Sequence, residues 1–178
     1  HCYRRELIRM VPDTQGGSLF KTGGVYLIVG GAGGIGSVLA RYLCNHYQAE
    51  VVLIGRSDLD TAKRELLQSI QAKGGRASYH RADVADSEQV KQVLTKLKLT
   101  LSPIHGVIFS ALVLDDKTLS FMESENLAKV LRPKIDATVT LVEALREDPP
   151  EFLMSMSSVQ SLAASPGQSN YAAGCSFQ

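Results

Sequence analysis

Three stretches of the chain carry groups suited to chemistry, and they lie far apart in sequence. The last is SNYAAGCSFQ (169–178), where Tyr171 follows the serine pair Ser157–Ser158. A tyrosine and a serine hydroxyl can together polarise a carbonyl, and the tyrosine can pass it a proton. Tyrosine alone is a weak acid, with a pKa of about 10, so the pair asks for a nearby cation. One helical turn past Tyr171 stands Cys175 rather than a lysine.

The stretch VGGAGGIGSVLA (29–40) suits anion binding. Gly30, Gly34 and Gly36 allow a tight turn, close approach of backbone to a pyrophosphate, and close helix–strand packing. The helix start then offers aligned N–H groups to the anion. No lysine follows the last glycine, which excludes a nucleoside-triphosphate loop. The third stretch, Gly55-Arg56-Ser57, ends the second apolar run. A carboxylate there would hold a ribose 2′-hydroxyl, whereas a guanidinium suits a 2′-phosphate. NADPH is therefore expected over NADH, with an ordinary solvated arginine as the plain alternative. Asp83, in RADVAD, is placed for the adenine edge; a simple turn aspartate is its alternative.

The elements that must position these groups alternate regularly. VYLIV (25–29) and VVLIG (51–55) are short apolar β-branched runs and predict buried parallel strands. Helical pattern fills the space to about Tyr47, and again over about 59–73. GRASYHRADV predicts a third strand and SEQVKQVLTKLK a third helix, with Ser87 as its cap. HGVIFSALV (105–113) predicts a fourth strand and FLMSMSS (152–158) a fifth. Between them a long helix over about 122–147 should be bent or divided at Pro133. ASPGQSN reads as a loop, and YAAGCSFQ as the start of another helix. The fold class is therefore α/β: a Rossmann-like, doubly wound parallel sheet with helices on both faces. Residues 1–24 read as a lead-in or the tail of a preceding subdomain, and 25–178 as the catalytic unit. That unit is expected to be truncated after the tyrosine, part-way into its helix.

Composition narrows the function. The 178 residues are 44% apolar and 21% charged, with a net charge of +1, which fits one globular domain and argues against nucleic acid or an anionic membrane as partner. Cys2, Cys44 and Cys175 lack CxxC spacing and suggest neither a disulfide framework nor a metal site. The expected location is the cytoplasm. The most apolar stretch, VYLIVGGAGGIGSVLARYL, is broken by glycines and does not suit a membrane span.

VGGAGGIG, ADV, the SS pair and Tyr171 together resemble the short-chain dehydrogenase/reductase superfamily. Ordinary members carry lysine four residues after the tyrosine. The chain is more similar to a branch that takes its lysine elsewhere, the ketoreductase domains of modular polyketide synthases. Its LRPKIDATVTL looks like that branch's lysine motif, which would make Lys134 the missing cation. By spacing alone Lys134 could be a surface helix lysine, and Ser158 a hydroxyl satisfying backbone. YAAGC is similar to the variant in synthases that lack built-in acyltransferases, where the branch more often has asparagine in place of Cys175.

The resemblance implies Tyr171, Ser158 and Lys134 as the catalytic set, with Lys134 lowering the tyrosine pKa. Cofactor contacts are implied from Gly30, Ala32, Gly33, Gly34, Ile35 and Gly36 in the loop and from Arg56 and Ser57. Further contacts are implied from Asp83 and Val84, from Ser110 and Ala111, and from Lys134 and Tyr171. Leu114, Asp115 and Asp116 match an LDD motif that orients substrate, with Asp116 the favoured residue of the three and a helix-entry aspartate as its even alternative. The implied reaction is NADPH-dependent reduction of a β-ketoacyl thioester, carried on an acyl carrier protein, to the D-β-hydroxy thioester (a B-type outcome). Neighbouring synthase domains are the implied partners. The competing readings are a free-standing reductase for a small ketone or alcohol, and a non-catalytic nucleotide-binding scaffold.

Overall fold

The computed structural model describes residues 8–11, 17–163 and 165–178; His1, Cys2 and much of the expected lead-in lie outside the described residues. Five parallel strands form one sheet in the order β3-β2-β1-β4-β5: β1 (Val25–Val29), β2 (Glu50–Gly55), β3 (Arg76–Arg81), β4 (Gly106–Phe109) and β5 (Phe152–Ser155). The helices are α1 (Gly34–Tyr47), α2 (Thr61–Gln71), α3 (Ser87–Thr100), α4 (Ser124–Leu131), α5 (Asp136–Ala144) and α6 (Ser169–Phe177).

β1 is buried along its whole length, so both faces of it must be apolar. Leu27, Val29, Val52, Ile54, Val107 and Phe109 pack with Val90, Leu94 and Leu97 of α3 and Leu141 of α5. The alternate residues Tyr26, Ile28, Val51, Leu53 and Ile108 pack on the other face with Leu43 of α1 and Leu66 and Ile70 of α2. Covered on both sides, the sheet leaves its carboxyl ends as the open rim. Strand order reverses between β1 and β4, and ligands of such sheets lie in the crevice at that reversal.

Several expected boundaries shift. α3 is capped by Asp86, not Ser87: the Asp86 carboxylate accepts from the backbone N–H groups of Glu88 at 3.0 Å and Gln89 at 3.1 Å. Its extended backbone lets the carboxylate reach those donors, while Ser87 is already helical. β4 and β5 stop at Phe109 and Ser155, short of the expected 113 and 158. The long helix is two helices, α4 and α5, separated around Pro133.

Candidate active site

A cleft of about 660 Å³ opens along the carboxyl ends of β1, β2 and β4. Gly30, Ala32, Gly33, Gly34 and Ile35 form one wall, and Arg56 and Ser57 stand at one end. Asp83, Val84, Ser110 and Ala111 also face it. Gly30 has φ +74°, and a Cβ there would come within 2.8 Å of Ala111 backbone, so the turn needs glycine twice over. Gly36 does not line the cleft. A Cβ on it would meet the Gly30 carbonyl oxygen at 2.5 Å and the Gly31 Cα at 2.7 Å; its role is to let α1 approach the loop. Gly34 is different, since a Cβ there would meet nothing within 4 Å. A side chain at that position would project into free space beside the cleft. The N-cap of α1 is Gly33, which offers no side-chain cap, and the first turn holds no acidic residue, so the helix's N-terminal partial positive charge is unopposed. These features fit a pyrophosphate-bearing dinucleotide.

Lys134, Ser158 and Tyr171 do not line that cleft; they converge beyond β4 and β5. Lys134 follows Pro133 in the α4–α5 break and is only 1% exposed. Its ammonium donates to Gln178 Oε1 at 2.7 Å and to the Met156 carbonyl at 3.4 Å, and sits 5.5 Å from the centre of the Tyr171 ring. Its stem runs against Gly174, where a Cβ would meet Lys134 Cδ at 2.9 Å. Ser158 caps a single 3₁₀ turn, accepting from the Gln160 backbone N–H at 3.3 Å. With that lone pair engaged, its own proton is free to donate, and the hydroxyl acts on Tyr171 to hold its pKa down.

The chain matches the family model described as the KR domain over residues 24–178. It belongs to the KR domain family. Polyketide synthase PksN of Bacillus subtilis is 44% identical over 160 residues, which cover 89% of this chain and 3% of PksN. The crystal structure of a ketoreductase domain from the bacillaene assembly line matches with TM-score 0.87 at 30% identity, covering 97% of this chain and 40% of that one. An N-terminal ketoreductase from the macrolactin assembly line matches with TM-score 0.81 at 34% identity, over 87% and 32% of the two chains. The chain therefore spans a small part of the synthase it matches, and under half of the two solved chains.

Within this KR domain, the acidity of Tyr171 departs from expectation. Burial pushes its pKa above the ordinary tyrosine value, assisted by the Cys175 thiol and the Asp116 carboxylate, while the Ser158 hydroxyl opposes the rise. The expected lowering by Lys134 is not seen, because the ammonium is engaged by Gln178 and the Met156 carbonyl instead of the phenol oxygen. The result keeps Tyr171 in its proton-bearing form.

The LDD loop is tied to the start of α6. Gln168 donates to Asp116 at 2.8 Å, the Lys117 N–H to the Gly167 carbonyl at 2.9 Å, and the fully buried Asn170 side chain to the Asp115 carbonyl at 2.9 Å. The Asp115 carboxylate turns the other way, toward Asn126 at 3.2 Å and Lys129 at 3.0 Å. Leu114 is exposed. Asp83 lines the cleft and, as a turn aspartate would, accepts from the Ala85 N–H at 3.0 Å; it also pairs with Arg132 at 3.1 Å.

Sequence reasoning missed Lys63, Tyr79 and Pro133, all of which line the cleft. For Lys63 a signal existed: it occupies the first position of the inward stripe Lys63-Leu66-Leu67-Ile70 of α2, where an apolar residue is expected. No helix among the described residues is long and apolar enough to cross a membrane.

Proposed function

We propose that residues 25–178 bind NADPH and reduce a β-ketoacyl thioester, presented on an acyl carrier protein, to the D-β-hydroxy thioester, within a cytoplasmic polyketide synthase. The observation that carries this reading is the convergence of Lys134, Ser158 and Tyr171 from three separate segments, in a chain whose glycine turn lines a cleft of about 660 Å³. Arg56 at the cleft's end supports the choice of NADPH, since a guanidinium matches a phosphate in geometry and charge. Gly30, Gly34 and the start of α1 would hold the pyrophosphate, and Asp83 and Val84 the adenine.

The bound cofactor would supply a hydride to the carbonyl carbon. Everything else falls to the protein's own groups. As charge grows on the carbonyl oxygen, Ser158 donates a hydrogen bond to it. Tyr171 donates a second hydrogen bond and then transfers its proton, leaving a phenolate. For Lys134 to stabilise that phenolate, its ammonium must leave Gln178 and turn to the phenol oxygen, a short move from its place 5.5 Å from the ring centre. Lys134 and Tyr171 would also contact the nicotinamide ribose. The raised pKa of Tyr171 keeps its proton in place until a substrate oxygen arrives.

Support for the D-product is the LDD loop itself, anchored through Gln168 and Asn170 to the helix that bears Tyr171. Chiral chromatography of the product from a simple β-ketoacyl thioester tests both parts of the reading. D-alcohol formed at the expense of NADPH is expected. Predominant L-alcohol would overturn the stereochemical assignment, and absence of any reduction would overturn the activity.

A further inference from the structure

Lys63 stands apart from the other ion-paired lysines. Of the ion-paired lysines among the described residues, Lys21, Lys98 and Lys129 keep 52 to 59% of their side chains exposed, whereas Lys63 keeps 13%. It sits in the first turn of α2 on the face that carries Leu66 and Ile70 into the core. Its stem covers apolar surface, and its ammonium lies 5.8 Å from the centre of the Tyr79 ring. Tyr79 is itself fixed, donating its hydroxyl proton to the Ser57 carbonyl at 2.6 Å. Lys63, Tyr79, Arg56 and Ser57 all face the same end of the cleft. Arg56 and Lys63 thus give this part of the cleft two cationic side chains, beside Ser57 and the Tyr79 ring. Lys63 meanwhile pairs with Asp60, the residue that caps α2 by accepting from the Lys63 N–H at 2.9 Å. That pairing holds the Asp60 carboxyl below the usual carboxylate range.

We propose that Lys63 is a second specificity-determining cation for the cofactor's 2′-phosphate, acting with Arg56, and that Asp60 is the internal counterion that limits its grip. The proposal rests on the NADPH reading above and adds to it a residue and a tuning device. Asp60 offers Lys63 a partner when the subsite holds no phosphate, which avoids leaving a largely buried ammonium unpaired. The 2′-phosphate then competes with Asp60 for the ammonium, so part of the attraction is offset. Removing the carboxylate's charge while keeping the cap should therefore tighten phosphate binding, and removing the lysine should weaken it.

Calorimetric titration with adenosine 2′,5′-bisphosphate and with 5′-AMP isolates this subsite from catalysis, because neither probe has a nicotinamide. The wild-type chain is expected to prefer the bisphosphate. Lys63→Gln should lower that preference by about tenfold, the size of a charge-assisted hydrogen bond, with 5′-AMP affinity nearly unchanged. Lys63→Arg should retain most of the preference. Asp60→Asn keeps a good N-cap and should raise bisphosphate affinity by about threefold at low salt, an effect that shrinks as salt screens it. A Lys63→Gln variant that melts normally yet keeps the full preference, while Arg56→Ala loses it, would overturn the role of Lys63 and leave the NADPH reading intact. An unchanged Asp60→Asn affinity would overturn the counterion. No preference in the wild-type chain would overturn the NADPH reading and this inference together.

Discussion

The two ends of the candidate site are built by different means. The glycine cradle at the cofactor end is local: one strand, one glycine turn and one helix start, with close backbone contacts deciding the shape. The catalytic end is assembled from afar, with Lys134 reaching Met156 and Gln178, and Asn170 reaching the Asp115 carbonyl. A local backbone cradle tolerates few changes at its glycines but needs little from the rest of the fold. An assembled cluster depends on several anchors, each separately replaceable. The first should fail by steric exclusion and the second by loss of chemistry with binding preserved.

Gly36→Ala attacks the cradle and should have the larger effect of the two single changes that contrast the ends. Its Cβ would fall 2.5 Å from one backbone oxygen and 2.7 Å from the Gly31 Cα, neither of which is a flexible side-chain end. Overpacking of this kind costs about 1–3 kcal/mol. Thermal melting and cofactor titration should fall together, the affinity by about tenfold. A normal melting temperature with normal affinity would mean that α1 and the loop separate easily.

Cys175→Ala attacks the assembled end at its softest point, and the effect should be the smallest. A thiol is a weak hydrogen-bonding group, so turnover should change by no more than about threefold. The sharper readout is pH. Tyr171 must bear its proton to act, so the rate falls as pH rises through its pKa, which lies above the ordinary tyrosine value. The Cys175 thiol contributes to that rise, so its removal should move the alkaline limb of the rate profile to lower pH. Movement toward higher pH would show that the thiol acts in the opposite sense.

The same contrast explains what was legible in the sequence. β1, β2 and the glycine turn could be read directly, because a strand buried on both faces must be a continuous apolar run and a tight turn must be glycine. The ends of β4 and β5 could not. Ser110 to Val113 still look like a strand, but β1 ends at Val29 and turns away at Gly30. The Ser110 N–H makes the last bond to β1, and β4 has no further partner there. β5 stops in turn because β4 has ended beside it. Lys134 was legible only through a motif resemblance; its spacing carried no information about where Pro133 would turn it. The Asp86 cap lay one position from the expected one, since Asp86 and Ser87 are both good caps and only the backbone angles choose. The acidity of Tyr171 was misjudged because it depends on where the Lys134 ammonium points, which Gln178 and the Met156 carbonyl decide.

In the proposed reaction Tyr171 and Lys134 act as one proton-delivering unit on a substrate carbonyl. The direct measurement is single-turnover NADPH oxidation with a β-ketoacyl thioester, for Tyr171→Phe, Lys134→Ala and the double variant, with cofactor affinity titrated in parallel. Each single change should slow turnover by at least about a hundredfold, and the double variant should be little slower than either. Tyr171→Phe should keep cofactor affinity within a few fold. A Tyr171→Phe chain that reduces the thioester at the wild-type rate, or single effects that simply multiply in the double variant, would contradict it.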